Sequence, residues 1–175
     1  MRRLRSVLAC GVLLCLLVPS VALSQPPRPT LDFKPGFRFL AVGHVADVEV
    51  RGTGLVDLYG CEVTVQYDPR ALEVQDADPN TEGVQAIVGD VFTGKNAFVA
   101  LNTVDAEQGI IRFAAGLVEP AAPIQGSATF LRVGFRALRP GPTMLRFGPV
   151  ILVNVDAQTI DARLVDGGMW LGPIR

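Results

Sequence analysis

The chain has 175 residues, of which 49% are hydrophobic, and its 16 Lys and Arg nearly balance its 17 Asp and Glu, which gives a net charge of −1. Beyond its first five residues the chain has no cluster of basic residues, so we expect no nucleic-acid partner, because such a partner requires a basic patch. A single histidine leaves the chain poorly supplied for acid–base catalysis.

The first 24 residues have the pattern of a secretory signal peptide. Three arginines within the first five residues precede an almost wholly apolar run at 7–18, and Ala22-Leu23-Ser24 offers small residues to signal peptidase. A membrane anchor is the alternative, but the apolar run is shorter than the roughly 20 residues that a bilayer span requires. We therefore predict cleavage before Gln25 and a secreted or cell-surface protein.

The predicted mature chain has 151 residues, the length of one ordinary domain. It keeps 13 Lys and Arg against 17 Asp and Glu, a net charge of −4. Cys61 is its only cysteine, so it has no internal disulfide, and its stability must come from a hydrophobic core. We divide the chain into a signal peptide (1–24), a Pro-rich lead (25–29) and one domain (30–172).

Short apolar runs rich in Val, Ile, Phe and Leu follow the lead, separated by clusters of Gly, Pro, Asp and Asn. None of them has a sustained period of 3.6 residues, so the pattern predicts an all-β sandwich or barrel. The clearest strands are 60–67 and 129–137. Weaker ones include 30–34, 44–51 and 109–115, and we expect about nine strands in all.

Residues 60–67 alternate between apolar and polar side chains. Successive side chains of a strand point to opposite faces, so one set faces the core and the other faces solvent or a partner. The predicted inward set is Cys61, Val63, Val65 and Tyr67, and the predicted outward set is Glu62, Thr64 and Gln66. The same rule places Phe130 on the outward face of 129–137, together with Arg132 and Arg136.

Two other features could suggest chemistry. His44 shares the inward parity of the following strand, which favours a structural histidine over a catalytic base or metal ligand. The acidic stretch 76–82 alternates oxygen-bearing side chains, but it lacks the glycine of a calcium loop and contains Pro79. We interpret it as an ordinary acidic loop, leave a calcium site open, and expect no cofactor and no enzyme activity.

Several motifs in order resemble the signature of the cohesin family, the receptor half of the cohesin–dockerin pair. They are Val42-Gly43, DLYGC at 57–61, YDPRALEV at 67–74, GIIRFA at 109–114, GSAT at 126–129 and DGG at 166–168. The resemblance spans about residues 30–172. It implies a nine-stranded jelly-roll sandwich that binds the dockerin module of another secreted protein, with calcium on the partner's side, in polysaccharide degradation or surface assembly.

The resemblance also implies where the partner binds. The matching strand lies on the dockerin face in cohesins, with an outward acid at the position of Glu62. The implied contacts are therefore Glu62, Thr64, Gln66 and Gly60, where Gly60 stands at a position that holds a dockerin-contacting asparagine in some members. A module that binds polysaccharide directly is the alternative, although it needs two or three outward aromatic residues in line, which the alternation does not predict.

The residues of the YDP motif, together with Leu72, can be explained by a structural role in a turn. Asp68 can accept hydrogen bonds from backbone N–H groups just ahead of it, and Pro69 fixes its own φ angle for a tight turn. Leu72 can then return to the core beneath Tyr67. We predict a structural role for these four residues.

The first testable prediction concerns the N-terminus. We expect protein exported by the native host to begin at or near Gln25, because the charged start, the short apolar run and the small residues at 22–24 are what signal peptidase recognises. N-terminal sequencing of the exported protein checks this. Retention of residues 1–24 in a membrane fraction would contradict it.

Overall fold

The computed structural model describes residues 28–173, which form two six-stranded β-sheets packed face to face. The predicted signal peptide and residues 25–27 of the lead lie outside the described residues. The all-β sandwich predicted from the sequence is confirmed. The strands are β1 (Thr30–Lys34), β2 (Phe37–Ala41), β3 (Val45–Leu58), β4 (Gly60–Gln66), β5 (Leu72–Gln75), β6 (Ile87–Val88), β7 (Ala97–Asp105), β8 (Ile110–Leu117), β9 (Ile124–Ala137), β10 (Gly141–Val153), β11 (Arg163–Val165) and β12 (Gly167–Gly172).

The first sheet has the order β11-β1-β3-β9-β5, with β6 paired to β9 beside β5, and the second has the order β2-β12-β10-β4-β8-β7. Most neighbours are antiparallel, and the parallel pairs are β1 with β11 and β2 with β12. Because β4 lies between β10 and β8, it is an interior strand of the second sheet.

The described residues form twelve strands, more than the nine predicted. β1 and β2 are separated only by Pro35 and Gly36, so one stretch of chain crosses from the first sheet to the second. β6 and β11 have only two and three residues. The sequence did not predict β2, because apolar residues occur on both of its faces and hide the alternation.

The core lies between the sheets and contains the inward residues of both. Its largest fully buried side chains include Phe33, Phe113, Phe130 and Phe135. Burying an aromatic or large aliphatic side chain stabilises a fold by about 1.5–3 kcal/mol, so this core can hold a domain that lacks disulfides. The predicted inward set of β4 is confirmed, since Cys61, Val63, Val65 and Tyr67 are all buried.

The prediction that Phe130 faces outward is wrong, because its side chain is fully buried. Val50 pairs with Leu131 and Arg51 with Thr129, so Phe130 is an extra residue of β9 at a bulge. The bulge turns Phe130 inward over Gly52, where a Cβ atom would lie 2.6 Å from the Phe130 ring. A bulge breaks the parity from which outward positions are predicted.

The placement of His44 is also corrected. The residue is exposed and lies in the turn between β2 and β3, where its backbone N–H donates to the carbonyl of Ala41. It is therefore not an inward residue at a strand start. None of the described residues belongs to a helix that is long and apolar enough to cross a membrane.

The turn after β4 has the predicted structure. The Asp68 Oδ1 atom accepts from the N–H of Arg70 at 2.9 Å, and the N–H of Leu72 donates to the Asp68 carbonyl. Leu72 and Tyr67 are buried, and the Tyr67 ring packs edge-on against Phe135.

Gly109 completes this turn from the neighbouring strand. It has a φ of +68°, and a Cβ atom there would lie 2.2 Å from the Tyr67 carbonyl oxygen. Only glycine fits this close approach of two backbones.

The second prediction concerns the charge of Asp68. The Arg70 N–H and the Arg139 guanidinium, which contacts Oδ2 at 2.7 Å, hold the pKa of this carboxyl below its ordinary value. A lowered folded-state pKa stabilises the fold above the unfolded pKa of about 3.9, and this stabilisation is lost as the pH falls through the folded value. We expect Asp68→Asn to lower the melting temperature at neutral pH, with the difference from wild type vanishing at low pH.

Thermal unfolding followed by circular dichroism across this pH range measures the effect. Asp156→Asn is the matched control, because Asp156 lies in an exposed loop and none of the ion pairs among the described residues includes it. A pH-independent difference for Asp68→Asn would show that the charge is not responsible.

Candidate partner-binding face

The predicted contact residues lie on the outer face of the second sheet, which we call the β4 face. Cross-strand pairing places Glu62 between Ile151 of β10 and Ala114 of β8. Gln66 lies between Arg146 and Ile110, and directly paired residues of adjacent strands share a face.

The four predicted contacts have different environments. Glu62 and Gln66 are exposed, as expected from the alternation. Gly60 is buried, and it pairs with Gly116 at the floor of a hollow in the face. The prediction that Thr64 is accessible to a partner is wrong, because its side chain points outward but is only 7% exposed.

A bulge in β10 covers Thr64. The register with β4 shifts between Phe147 and Val150, so two residues of β10, Gly148 and Pro149, lie opposite Thr64 alone. A Cβ atom on Gly148 would lie 2.9 Å from the Thr64 Cγ2 atom, so the bulged backbone rests on this side chain. Thr64 therefore supports β10 and is not available to a partner.

The β4 face also carries aromatic residues that the sequence analysis missed. The exposed phenylalanine and tryptophan side chains of the described chain all lie on it, with exposed fractions of 58%, 74%, 54% and 48% for Phe37, Phe39, Phe98 and Trp170. Met144 and Ile151 are exposed on the same face. This concentration of apolar surface is typical of an interaction site.

Three of these rings form a cluster at one edge of the sheet, which we call the aromatic edge. Phe37 and Phe39 belong to β2, and Trp170 pairs with Phe39 across the sheet. The two phenylalanine rings meet edge to face, with centroids 5.5 Å apart and planes at 88°. The two-residue spacing of Phe37 and Phe39 was the available signal in the sequence.

The outer face of the first sheet carries ion pairs between neighbouring strands. Arg132 donates to Glu49 at 2.8 Å, and the Arg136 guanidinium lies 3.6 Å from Glu73. The sequence left open whether Arg132 and Arg136 share a face with Glu62, and the topology places them on the other side of the sandwich.

Cys61 and the acidic loop have no place in this site. The Cys61 thiol faces the core, and burial raises its pKa to about 12, so the reactive thiolate is scarce at neutral pH. In the acidic loop, the Asp78 carboxylate accepts from Asn80 and Thr81. No group of three or more candidate metal ligands converges within residues 28–173.

A sequence model of the family described as "Cohesin domain" matches residues 40–147, which is more than half of the chain. The chain belongs to the cohesin family. Cohesins are non-catalytic scaffolding modules, in line with the expectation that the chain is not an enzyme. The match covers β4 and most of the β4 face, but it leaves out Phe37, Phe39 and Trp170.

Solved structures of cohesins share the fold. A type II cohesin domain from the cellulosome of Acetivibrio cellulolyticus matches with a TM-score of 0.70 and 17% identity, covering 82% of this chain and 95% of that one. A non-cellulosomal cohesin from Archaeoglobus fulgidus matches with a TM-score of 0.62 and 15% identity, covering 83% and 92%. A type I cohesin–dockerin complex from Clostridium thermocellum matches with a TM-score of 0.63 and 16% identity, covering 83% and 100%.

A curated relative is cell surface glycoprotein 1 of Acetivibrio thermocellus. It is 28% identical over 117 residues, which is 60% of this chain. The chain spans only 5% of that protein's length, so the match concerns one module of a much larger protein.

Proposed function

We propose that this cohesin binds the dockerin module of another exported protein through the β4 face. The observation that carries the proposal is the unequal chemistry of the two outer faces. Three ion pairs lie on the outer face of the first sheet, whereas the β4 face carries the four exposed aromatic rings and an acid, Glu62, that belongs to none of the ion pairs among the described residues.

Glu62 is central to the proposal. It lies on an interior strand, flanked by the apolar side chains of Ile151 and Ala114. None of the ion pairs among the described residues includes it. A partner that covers this acid must supply a cation or a hydrogen-bond donor, because a charge buried without a partner is costly.

The setting of this interaction is inferred from the sequence and the family. The signal-peptide pattern predicts a protein that is exported from the cytoplasm. The partner is then a dockerin-bearing secreted protein, calcium-loaded on its own side, in polysaccharide degradation or surface assembly. The dockerin complex among the structural neighbours supports this type of partner.

The third prediction tests the face through Glu62. We expect Glu62→Lys to weaken dockerin binding by about 2 kcal/mol or more, which is roughly thirtyfold in Kd, because it reverses a charge that the partner covers. Folding should hardly change, since the side chain is exposed. Calorimetric titration with dockerin modules encoded by the same organism measures the effect.

Asp47→Lys is the matched control, because it makes the same reversal at an exposed position of β3 in the first sheet. We expect it to leave the affinity unchanged. Equal affinities for wild type and Glu62→Lys would move the interface away from β4.

Direct polysaccharide binding is the second candidate, and the aromatic edge is the observation that favours it. Phe37, Phe39 and Trp170 offer apolar ring surface on adjacent strands. The two phenylalanine rings are perpendicular, so only one of them can stack on a given sugar ring. Phe39 is the more exposed of the two, at 74% against 58%, and it is the one paired with Trp170.

The fourth prediction separates the candidates. If the aromatic edge binds polysaccharide, wild type should be retained on insoluble cellulose or xylan, and the Phe39→Ala, Trp170→Ala double variant should be released, because both stacking rings are gone. Glu62→Lys should be retained like wild type. A wild-type protein that passes through both polymers would rule out this candidate.

A further inference from the structure

The β4 face contains a hollow of about 390 Å³ above the β4–β8 pair. Its floor and walls are mainly Gly60, Phe98, Ala114, Gly116, Ile151 and Val153. This volume is near the lower end of the range for small-ligand pockets, about 300–1,000 Å³. One large side chain therefore matches it better than a whole small molecule.

Small residues on the interior strands create the hollow. Gly60 and Gly116 are cross-strand partners, so no Cβ atom rises from the floor at that level. Two residues away on the same face of β8, Ala114 is paired with Glu62, and its side chain is only a methyl group.

Side chains of the neighbouring strands lie close above the two glycines. A Cβ atom on Gly116 would lie 3.3 Å from the Phe98 ring, and one on Gly60 would lie 3.2 Å from the Val153 Cγ2 atom. Ile151 and Val155 are exposed beside them and complete the apolar rim.

The chemistry of the lining restricts the occupant. Among the described residues that line the hollow, Glu62 is the only charged one, and the remainder are mostly apolar side chains or glycines. An anion would be repelled by Glu62, and a sugar would leave most of its hydroxyl groups without partners. A large apolar side chain would pack against the apolar walls, and a cationic or hydroxyl group beside it would donate to Glu62.

We propose that this hollow is the anchor pocket of the interface and that it takes one leucine-sized or larger apolar side chain, which the partner carries next to a hydrogen-bond donor for Glu62. The inference rests on the proposed dockerin binding and adds the identity of the recognised group. Interfaces concentrate their affinity in such central, well-packed pockets, so pocket size selects among dockerins.

The test fills the hollow without touching the core. Ala114→Leu adds a side chain from the floor, and Ala100→Leu adds one from the side, on the edge strand β7. Ala77→Leu is the control, because it makes the same substitution at an exposed position in the loop after β5 of the first sheet, outside the hollow and the β4 face. Thermal unfolding confirms that each variant is folded.

The first readout needs no dockerin. Backbone-amide NMR spectra are recorded during titration with N-acetyl-leucinamide, N-acetyl-tryptophanamide and N-acetyl-alaninamide. We expect the two larger probes to shift the amide signals of Gly60, Ala114 and Gly116 in wild type and in Ala77→Leu. The shifts should be lost in both filled variants. Absent shifts in wild type, or equal shifts for the alanine probe, would overturn the pocket.

The second readout is calorimetric titration with the organism's dockerin modules. We expect each filled variant to lose at least tenfold in affinity and Ala77→Leu to bind like wild type. Unchanged binding to the filled variants overturns the anchor pocket and leaves dockerin docking intact. Failure of wild type to bind any dockerin overturns the proposed function and, with it, the pocket's role as a dockerin anchor.

Discussion

The interior position of β4 in the second sheet is the constraint on which the rest of the structure depends. Its inward side chains, Cys61, Val63, Val65 and Tyr67, are held in the core by pairing on both edges, so the register with β8 and β10 cannot slip by one residue without exposing all of them. The same register fixes Glu62 outward between Ile151 and Ala114. The burial of the inward side chains of β4 thus determines that Glu62 is the acid exposed to a partner.

The bulges are the second determinant of the surface. One in β9 turns Phe130 into the core, and one in β10 lays Gly148 over Thr64. Each changes the environment of one side chain while leaving the strand in place. The β4 face therefore shows a partner the apolar surface around Gly60 and Glu62, and hides a threonine that simple alternation would present.

The two outer faces differ in their ion pairs. On the first sheet, arginines and acids on neighbouring strands pair with one another, as Arg132 does with Glu49. Exposed ion pairs of this kind add little stability, about 0–1 kcal/mol. On the β4 face Glu62 belongs to none of the ion pairs among the described residues, which leaves it and the exposed rings available to a partner molecule.

The sequence by itself determined the all-β class, the inward set of β4, the Asp68 turn and the family, because period-two alternation and short turn motifs are local signals. It also predicted Glu62 and Gln66 as outward residues. Only the tertiary structure decided that Phe130 and Thr64 are buried, that His44 is exposed, that Arg132 and Arg136 lie on the opposite face, and that Phe37, Phe39 and Trp170 meet at one edge. Bulges and strand order arise from contacts between segments distant in the chain, and alternation within one strand carries no information about them.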